Sequence, residues 1–330
     1  MQKNDKTDKN IEAVSGRGNR NFQNKILAQK TVTSAKAAGK TTKEDETVKT
    51  AVLTSQKEIT QLKKFCALVN NAIDKKSSTA VQNAIKGLEA SIKLANGVLL
   101  LNNVTAKNVT TAQNKITMAN INAALSGAII TAEKALEKSK GLLAGIKSFE
   151  DFLKKLADHE SSGDYKVVNG LGYLGKYQMG ELALADAGFY YEKVEKGAYR
   201  VDGDNNFEGM WSDLANKYNV FSKKDFLNNE EAQETAFLAF LAKVWGYIKP
   251  YKKHIGETKC GVYITASGLL AGAHLLGPKG VAQLFGGKKV YPEDKNGVPV
   301  DGNKTPITVY IKDMGGHDLT PLLGYNPDKS

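Results

Sequence analysis

At 330 residues the chain has room for two domains that each bury a core, and its apolar fraction of 41% is that of a folded protein. No apolar run reaches bilayer length; the longest, Ile264 to Leu276, is interrupted by Thr265, Ser267, glycines and His274, which excludes a spanning helix there. The net charge of +11 is uneven: residues 1–158 carry 26 Lys/Arg against 14 Asp/Glu, or +12, while residues 159–330 carry 20 against 21, or −1. The basic half suits either an anionic partner or a solvated lysine-rich surface. Cys66 and Cys260 lie far apart and read as buried free thiols.

Residues 1–45 are rich in Lys, Asn, Thr, Gly and Gln without a helical or strand period, and read as a loosely attached basic arm. The opening residues Met1 to Lys6 have no apolar stretch behind their lysines and do not read as a secretory signal. From Thr47 the pattern changes. Val48, Val52, Ser55, Ile59, Leu62, Cys66, Val69 and Ile73 recur at steps of four and three, the seam of one helix. Asp74 to Ser78 breaks it, and Val81, Ile85, Leu88, Ile92, Ala95 and Leu99 repeat the spacing up to a second break at Asn102-Asn103. A third stretch through Val109, Gln113, Ile116 and Asn120, and a fourth through Ile129, Ala132, Leu136 and Leu143, complete the region. Short breaks between long helices predict an antiparallel bundle over 46–147. Its alanine-rich seams carry neither Trp nor a Lys/Arg stripe, so bundle packing is expected over membrane insertion, and no nucleic acid is expected as a partner.

All four histidines, both tryptophans and all seven prolines lie beyond residue 158, which places a second domain over 148–330. Ser148 is a candidate cap for a helix along which Phe149, Leu153, Leu156 and Glu160 keep four-three-four spacing. Glu160 then falls at the C-terminal end of the buried face. Desolvation and the negative end of the helix dipole both push its carboxyl up, toward the protonated form that a general acid for glycoside cleavage requires. The plain alternative is a Glu that ends a helix and turns to water. Ser161-Ser162-Gly163 stops the helix, Asn169-Gly170 between β-prone pieces predicts a small hairpin, and a further helix is expected from about Gln178 through Leu182 and Leu184. Gln178 has two roles open to it: bonding a sugar acetamido or hydroxyl group, or capping the hairpin. Trp211 and Trp245 read as core. Asp294 to Gly297 and Asp301 to Asn303 read as polar turns, since the full calcium loop and its closing Glu are lacking. No metal ligand set and no cofactor is expected.

Three segments, in order, resemble the lytic transglycosylase and goose-type lysozyme superfamily. Glu160-Ser161 is similar to its Glu-Ser at the end of the catalytic helix. Gly175-Lys176-Tyr177-Gln178-Met179 resembles its Gly-Leu-Met-Gln segment, 18 residues from Glu160 to Gln178. Ala273-His274-Leu275-Leu276-Gly277-Pro278-Lys279-Gly280-Val281 resembles its Ala-Tyr-Asn-Ala-Gly-Pro-Gly-x-Val segment without gaps. The resemblance covers about residues 148–325 and implies a mainly α chain: the helical bundle, then a lysozyme-like α+β domain with a small β-hairpin. It implies peptidoglycan as substrate, cut between N-acetylmuramic acid and N-acetylglucosamine, with Glu160 as acid and then base. Gln178, Tyr177, Tyr173, Glu181 and His274 are the candidate substrate-binding residues. Glu181 is the first choice for an auxiliary carboxylate, and His274 stands where the family usually has a Tyr close to the catalytic carboxylate; Leu275 replaces its Asn. A cell-wall enzyme without a visible export signal implies delivery by a phage or secretion apparatus, with the bundle as docking module. The alternative is a glycan-binding or structural protein on the same scaffold.

Overall fold

The computed structural model describes residues 41–75, 77–191, 205–324 and 328. The expected basic arm lies outside these residues except for its last few. The described chain is mainly helical, with small antiparallel strand pairs. No described helix is long and apolar enough to cross a membrane. Two compact units divide the chain: residues up to Ile59 with Ala95–Gly127, and Thr60–Leu94 with Ala128–Ser330.

Helix α1 (Lys43–Asp74) begins inside the stretch expected to be arm. A reciprocal capping box starts it, with the Asp45 N–H donating to Thr42 Oγ1 and the Thr42 N–H to Asp45 Oδ2, both at 3.1 Å. Helix α2 (Ser78–Asn108) runs through the predicted break at Asn102-Asn103. Asn102 is buried, and its amide donates to Ser55 Oγ at 2.7 Å, so the group that would compete with the helix backbone is satisfied elsewhere. Helix α3 (Ala112–Ser161) is a single 50-residue element. Glu44 caps its start, accepting from the hydroxyls and backbone N–H groups of Thr110 and Thr111 and from the Asn114 amide, an arrangement that holds its carboxyl well below the ordinary range.

Two expectations fail along α3. The third seam was phased on Val109, which lies in the turn before the helix; Gln113, Ile116 and Asn120 are exposed, while Asn114, Met118, Ile121 and Leu125 are buried. Ser148 caps nothing, and no break occurs there. It sits mid-helix and spends its Oγ on the Asp318 N–H at 2.9 Å, while its carbonyl meets His317 Nδ1 at 2.9 Å.

In the unit that holds the chain's second half, α7 (Glu230–Tyr247) and α8 (Ala266–Leu284) pack against each other. Asn229 and Thr265 cap them, accepting from the N–H groups of Ala232 and Gly268. Phe149, Phe152, Leu156, Phe237, Leu269 and Leu270 form the middle of the core. Helix α9 (Ile307–Asp313) lies close on α8 because Gly268 and Gly272 face it: a Cβ at Gly268 would collide with the Ile311 carbonyl. Around these sit α4 (Glu181–Asp186), α5 (Asp213–Lys217), α6 (Lys223–Leu227) and α10 (Thr320–Leu323). Strand β1 (Tyr190–Tyr191) pairs antiparallel with β2 (Met210–Trp211), and β3 (Thr258–Lys259) with β4 (Val262–Tyr263). The hairpin expected at Asn169-Gly170 is present only as single bridges, Val168 to Leu174 and Leu174 to Met179. Trp245 is core, and Trp211 is half-buried against Phe207 and Phe226. Asp294 and Asp301 each accept backbone N–H groups within their own turns. Both cysteines are free, but neither is buried as expected: Cys66 is half-buried, and Cys260 is exposed at a tight turn with φ 48°.

Candidate active site

Glu160 lies in the last turn of α3, one turn past buried Leu156. The helix ends in an αL cap, with the Ser162 N–H on the Asp158 carbonyl at 3.3 Å. Ser162 and Gly163 adopt left-handed φ of 57° and 81°, and the Gly163 N–H reaches back to the Ala157 carbonyl at 3.1 Å. This stop turns the chain sharply and leaves Glu160 half-buried, its side chain 18% exposed.

Two donors from distant elements converge on one carboxylate oxygen. Tyr310 of α9 donates its hydroxyl to Glu160 Oε1 at 2.9 Å. His274 of α8, its side chain 9% exposed, places Nε2 3.2 Å from the same oxygen. The His274 ring is wedged between Phe237 and Phe240 of α7, centroids 5.3 and 6.0 Å away and rings nearly perpendicular, and its Nδ1 is buried without a protein partner. Oε1 is thus fixed, and Oε2 has no hydrogen-bond partner in the protein among the described residues. Burial pushes the Glu160 carboxyl up, as expected. The His274 bond and charge, the Tyr310 bond and the His159 charge outweigh that, and the net shift is downward. The expectation of a raised pKa is therefore overturned: at rest the group is a carboxylate, because two buried donors stabilise its charged form. Burial and the neighbouring carboxylate push the Tyr310 phenol up, so it stays a donor.

The Gly175–Gln178 segment is fastened beside Glu160 by its neighbour: Ser161 Oγ donates to the Lys176 carbonyl at 2.7 Å. From the other side the Gln233 Oε1 of α7 accepts the Lys176 N–H at 3.0 Å, and its amide donates to the Tyr165 and Phe226 carbonyls. Gly175, at φ 70°, is required here, since a Cβ would overlap Gln233 Oε1. Gln178, itself at φ 46°, donates to the Gly175 carbonyl at 2.9 Å, the hairpin-capping alternative.

The remaining candidates fall elsewhere. Tyr177 is fully buried, stacked 3.7 Å from Phe237, with its hydroxyl on Glu234 Oε2 at 2.8 Å, so it offers no surface to a sugar. Glu181 is buried at the start of α4 and accepts the Phe207 N–H, and its own N–H bonds Asn205 Oδ1; it braces the chain at 205–207 and does not meet Glu160. Tyr173 is half-buried with its ring against Gly180. Sequence reasoning missed Tyr310, Gln233 and Glu234. Glu234 gathers the Tyr165 hydroxyl at 2.7 Å, the Lys176 ammonium at 2.6 Å and the Tyr177 hydroxyl. Each of the three stands far from the motif segments, with no local pattern to mark it. No family model matches the chain, nor does any curated protein or solved structure.

Proposed function

We propose that the chain is a peptidoglycan-cleaving glycosidase, a muramidase or lytic transglycosylase, in which Glu160 is the general acid and base on the bond between N-acetylmuramic acid and N-acetylglucosamine. In this reading the second half is a lysozyme-like α+β domain and the helices before it form an antiparallel bundle that serves as docking module. One observation carries it: a half-buried carboxylate at a helix end, one oxygen clamped by Tyr310 and His274 and the other unengaged, beside a docked Gly-Lys-Tyr-Gln segment. The clamp aims Oε2. Protonated there, Glu160 donates to the bridging oxygen as the C1–O bond breaks and positive charge develops on the sugar ring. The clamp also stabilises the carboxylate that donation leaves behind. That carboxylate then takes a proton from the attacking hydroxyl: water in the hydrolytic outcome, the 6-hydroxyl of the same sugar in the lytic one. Resting ionisation of Glu160 means that proton uptake must precede cleavage, which an acidic medium or a sugar ring displacing water from the site promotes.

A glycan-binding protein without turnover is the second reading. It is favoured by the lowered Glu160 pKa and by His274 and Leu275 in place of the family's Tyr and Asn. Incubation of the full chain with purified sacculi separates the two. Soluble muropeptides are expected, and their masses distinguish reducing from 1,6-anhydro ends. Co-sedimentation without release selects the binding reading.

A further inference from the structure

Glu234 of α7 is a carboxylate that the proposed reaction does not use, yet it gathers three donors. Its Oε1 accepts from the Lys176 ammonium at 2.6 Å and the Tyr165 hydroxyl at 2.7 Å, and its Oε2 from the Tyr177 hydroxyl at 2.8 Å. Tyr177 is buried, and burial followed by the Glu234 charge pushes its phenol up, so it stays a donor. With its hydroxyl fixed, its ring lies flat on Phe237, 3.7 Å between centroids and 6° from parallel. Phe237 stands one turn along α7 from Glu234. It is also one of the two rings that hold His274, at 5.3 Å and 81°. No hydrogen bond reaches His274 Nδ1 among the described residues, so the Phe237 and Phe240 rings set the direction in which Nε2 points at Glu160. Lys176 closes a second route: its ammonium is on Glu234, and its carbonyl accepts from Ser161, the neighbour of Glu160, at 2.7 Å.

We propose that Glu234 is a positioning residue for Glu160: by pinning Tyr177 against Phe237 it sets the approach of His274 to Glu160 Oε1. Its consequence for catalysis rests on the glycan-cleaving reading above; the coupling itself does not. A displaced Tyr177 leaves Phe237 without its stacking partner, and Phe237 then no longer holds the imidazole at one angle. The sign of the effect separates this role from plain electrostatics. Deleting a distant negative charge lowers the pKa of a carboxyl, whereas loosening His274, a donor that lowers the Glu160 pKa, raises it. The other titratable groups facing Glu160 are Tyr310 of α9 and His159 of α3, which has Asp313 4.0 Å away. Neither belongs to this path. Glu234 faces Lys176, Tyr165 and Tyr177, with Glu230 of its own helix acting on Tyr165.

The test is the titration midpoint of the Glu160 carboxyl carbon, followed by NMR on the full chain, with melting temperature as fold control. Glu234→Gln keeps the size of the side chain but offers one acceptor oxygen where three donors use two. The midpoint is expected to rise by about 0.5 pH unit, roughly a threefold change in the protonation equilibrium. Tyr177→Phe, which keeps the stack and deletes only the hydroxyl, is expected to raise it by less, and carries the test if Glu234→Gln is too unstable to titrate. In a His274→Gln background neither substitution moves the midpoint, because the path is already cut. A midpoint left unmoved or lowered by both variants, or raised equally in the His274→Gln background, overturns the proposal. On sacculi, Glu234→Gln is expected to lower kcat about tenfold. The upward shift in a protein that cleaves no sacculi supports the positioning role and removes the glycosidase reading. Cleavage by wild type and Glu234→Gln at one rate, with no shift, overturns the positioning role and leaves that reading standing.

Discussion

Removing the Tyr310 hydroxyl isolates one arm of the clamp on Glu160. Tyr310→Phe deletes one atom from a buried ring and leaves α9 packed on α8. The lost bond is 2.9 Å long and its acceptor carries charge, so its worth is about 1.5–3 kcal/mol. The bond strengthens as Glu160 gives up its proton. Where Glu160 is protonated before reaction, most of that energy is therefore lost at the transition state and kcat/KM should fall about 10- to 100-fold; above its pKa the resting carboxylate loses the same bond and the fall shrinks. The pH profile moves as well. The phenol lowers the Glu160 pKa, so its removal raises it; activity that needs protonated Glu160 then persists to higher pH before the carboxyl deprotonates. The assay is kcat/KM on sacculi across pH 4–8 (roughly the carboxylate and imidazole range), with the melting temperature as a fold control. Titration of the Glu160 carboxyl carbon by NMR gives the same shift without relying on turnover. A folded variant with unchanged rate and an unmoved limb refutes the clamp.

His274→Gln keeps an N–H donor near Oε1 but cannot carry charge, so the same limb is expected to move upward, and a stationary limb would show that His274 acts through its bond alone. Glu234→Ala strands the Tyr177 hydroxyl and the Lys176 ammonium; with Glu234 about a third exposed, the loss is about 2–3 kcal/mol, read as a fall of roughly 5–10 °C in melting temperature. Gly268→Ala drives a methyl into the Ile311 carbonyl, which no rotamer relieves, and should cost about 1–3 kcal/mol and reduce activity by moving Tyr310 off Glu160. Gly246→Ala, facing open space on α7, is the neutral control.

The sequence made the helical class and the placement of Glu160 legible, because periodicity and helix stops are local. The seams of α1 and the first half of α2 were legible for the same reason. What it concealed was polar and distant. Asn102 reads as a breaker until Ser55 is found across from it, and the seam placed through Gln113 passes over Asn114, which Glu44 and Asp45 hold on the buried face. Ser148 has the look of a cap because nothing nearby reveals Asp318, 170 residues on. His274 was visible as a departure from a motif, but its partner Tyr310 lies 150 residues from Glu160 on a seven-residue helix. That pairing depends on Gly268 and Gly272 letting two helices approach, a fact of packing with no linear trace. The sign of the Glu160 shift followed: burial could be read from spacing, whereas the donors that reverse it could not.

Glu160→Gln changes the reactive group least while removing its acid, since the amide keeps the size of the side chain and can still accept from Tyr310. The rate of release of soluble fragments from sacculi is the deciding measurement. A loss of about 10²- to 10⁴-fold with sacculus binding retained is the predicted result. Release by the folded variant at the wild-type rate would contradict Glu160 as proton donor.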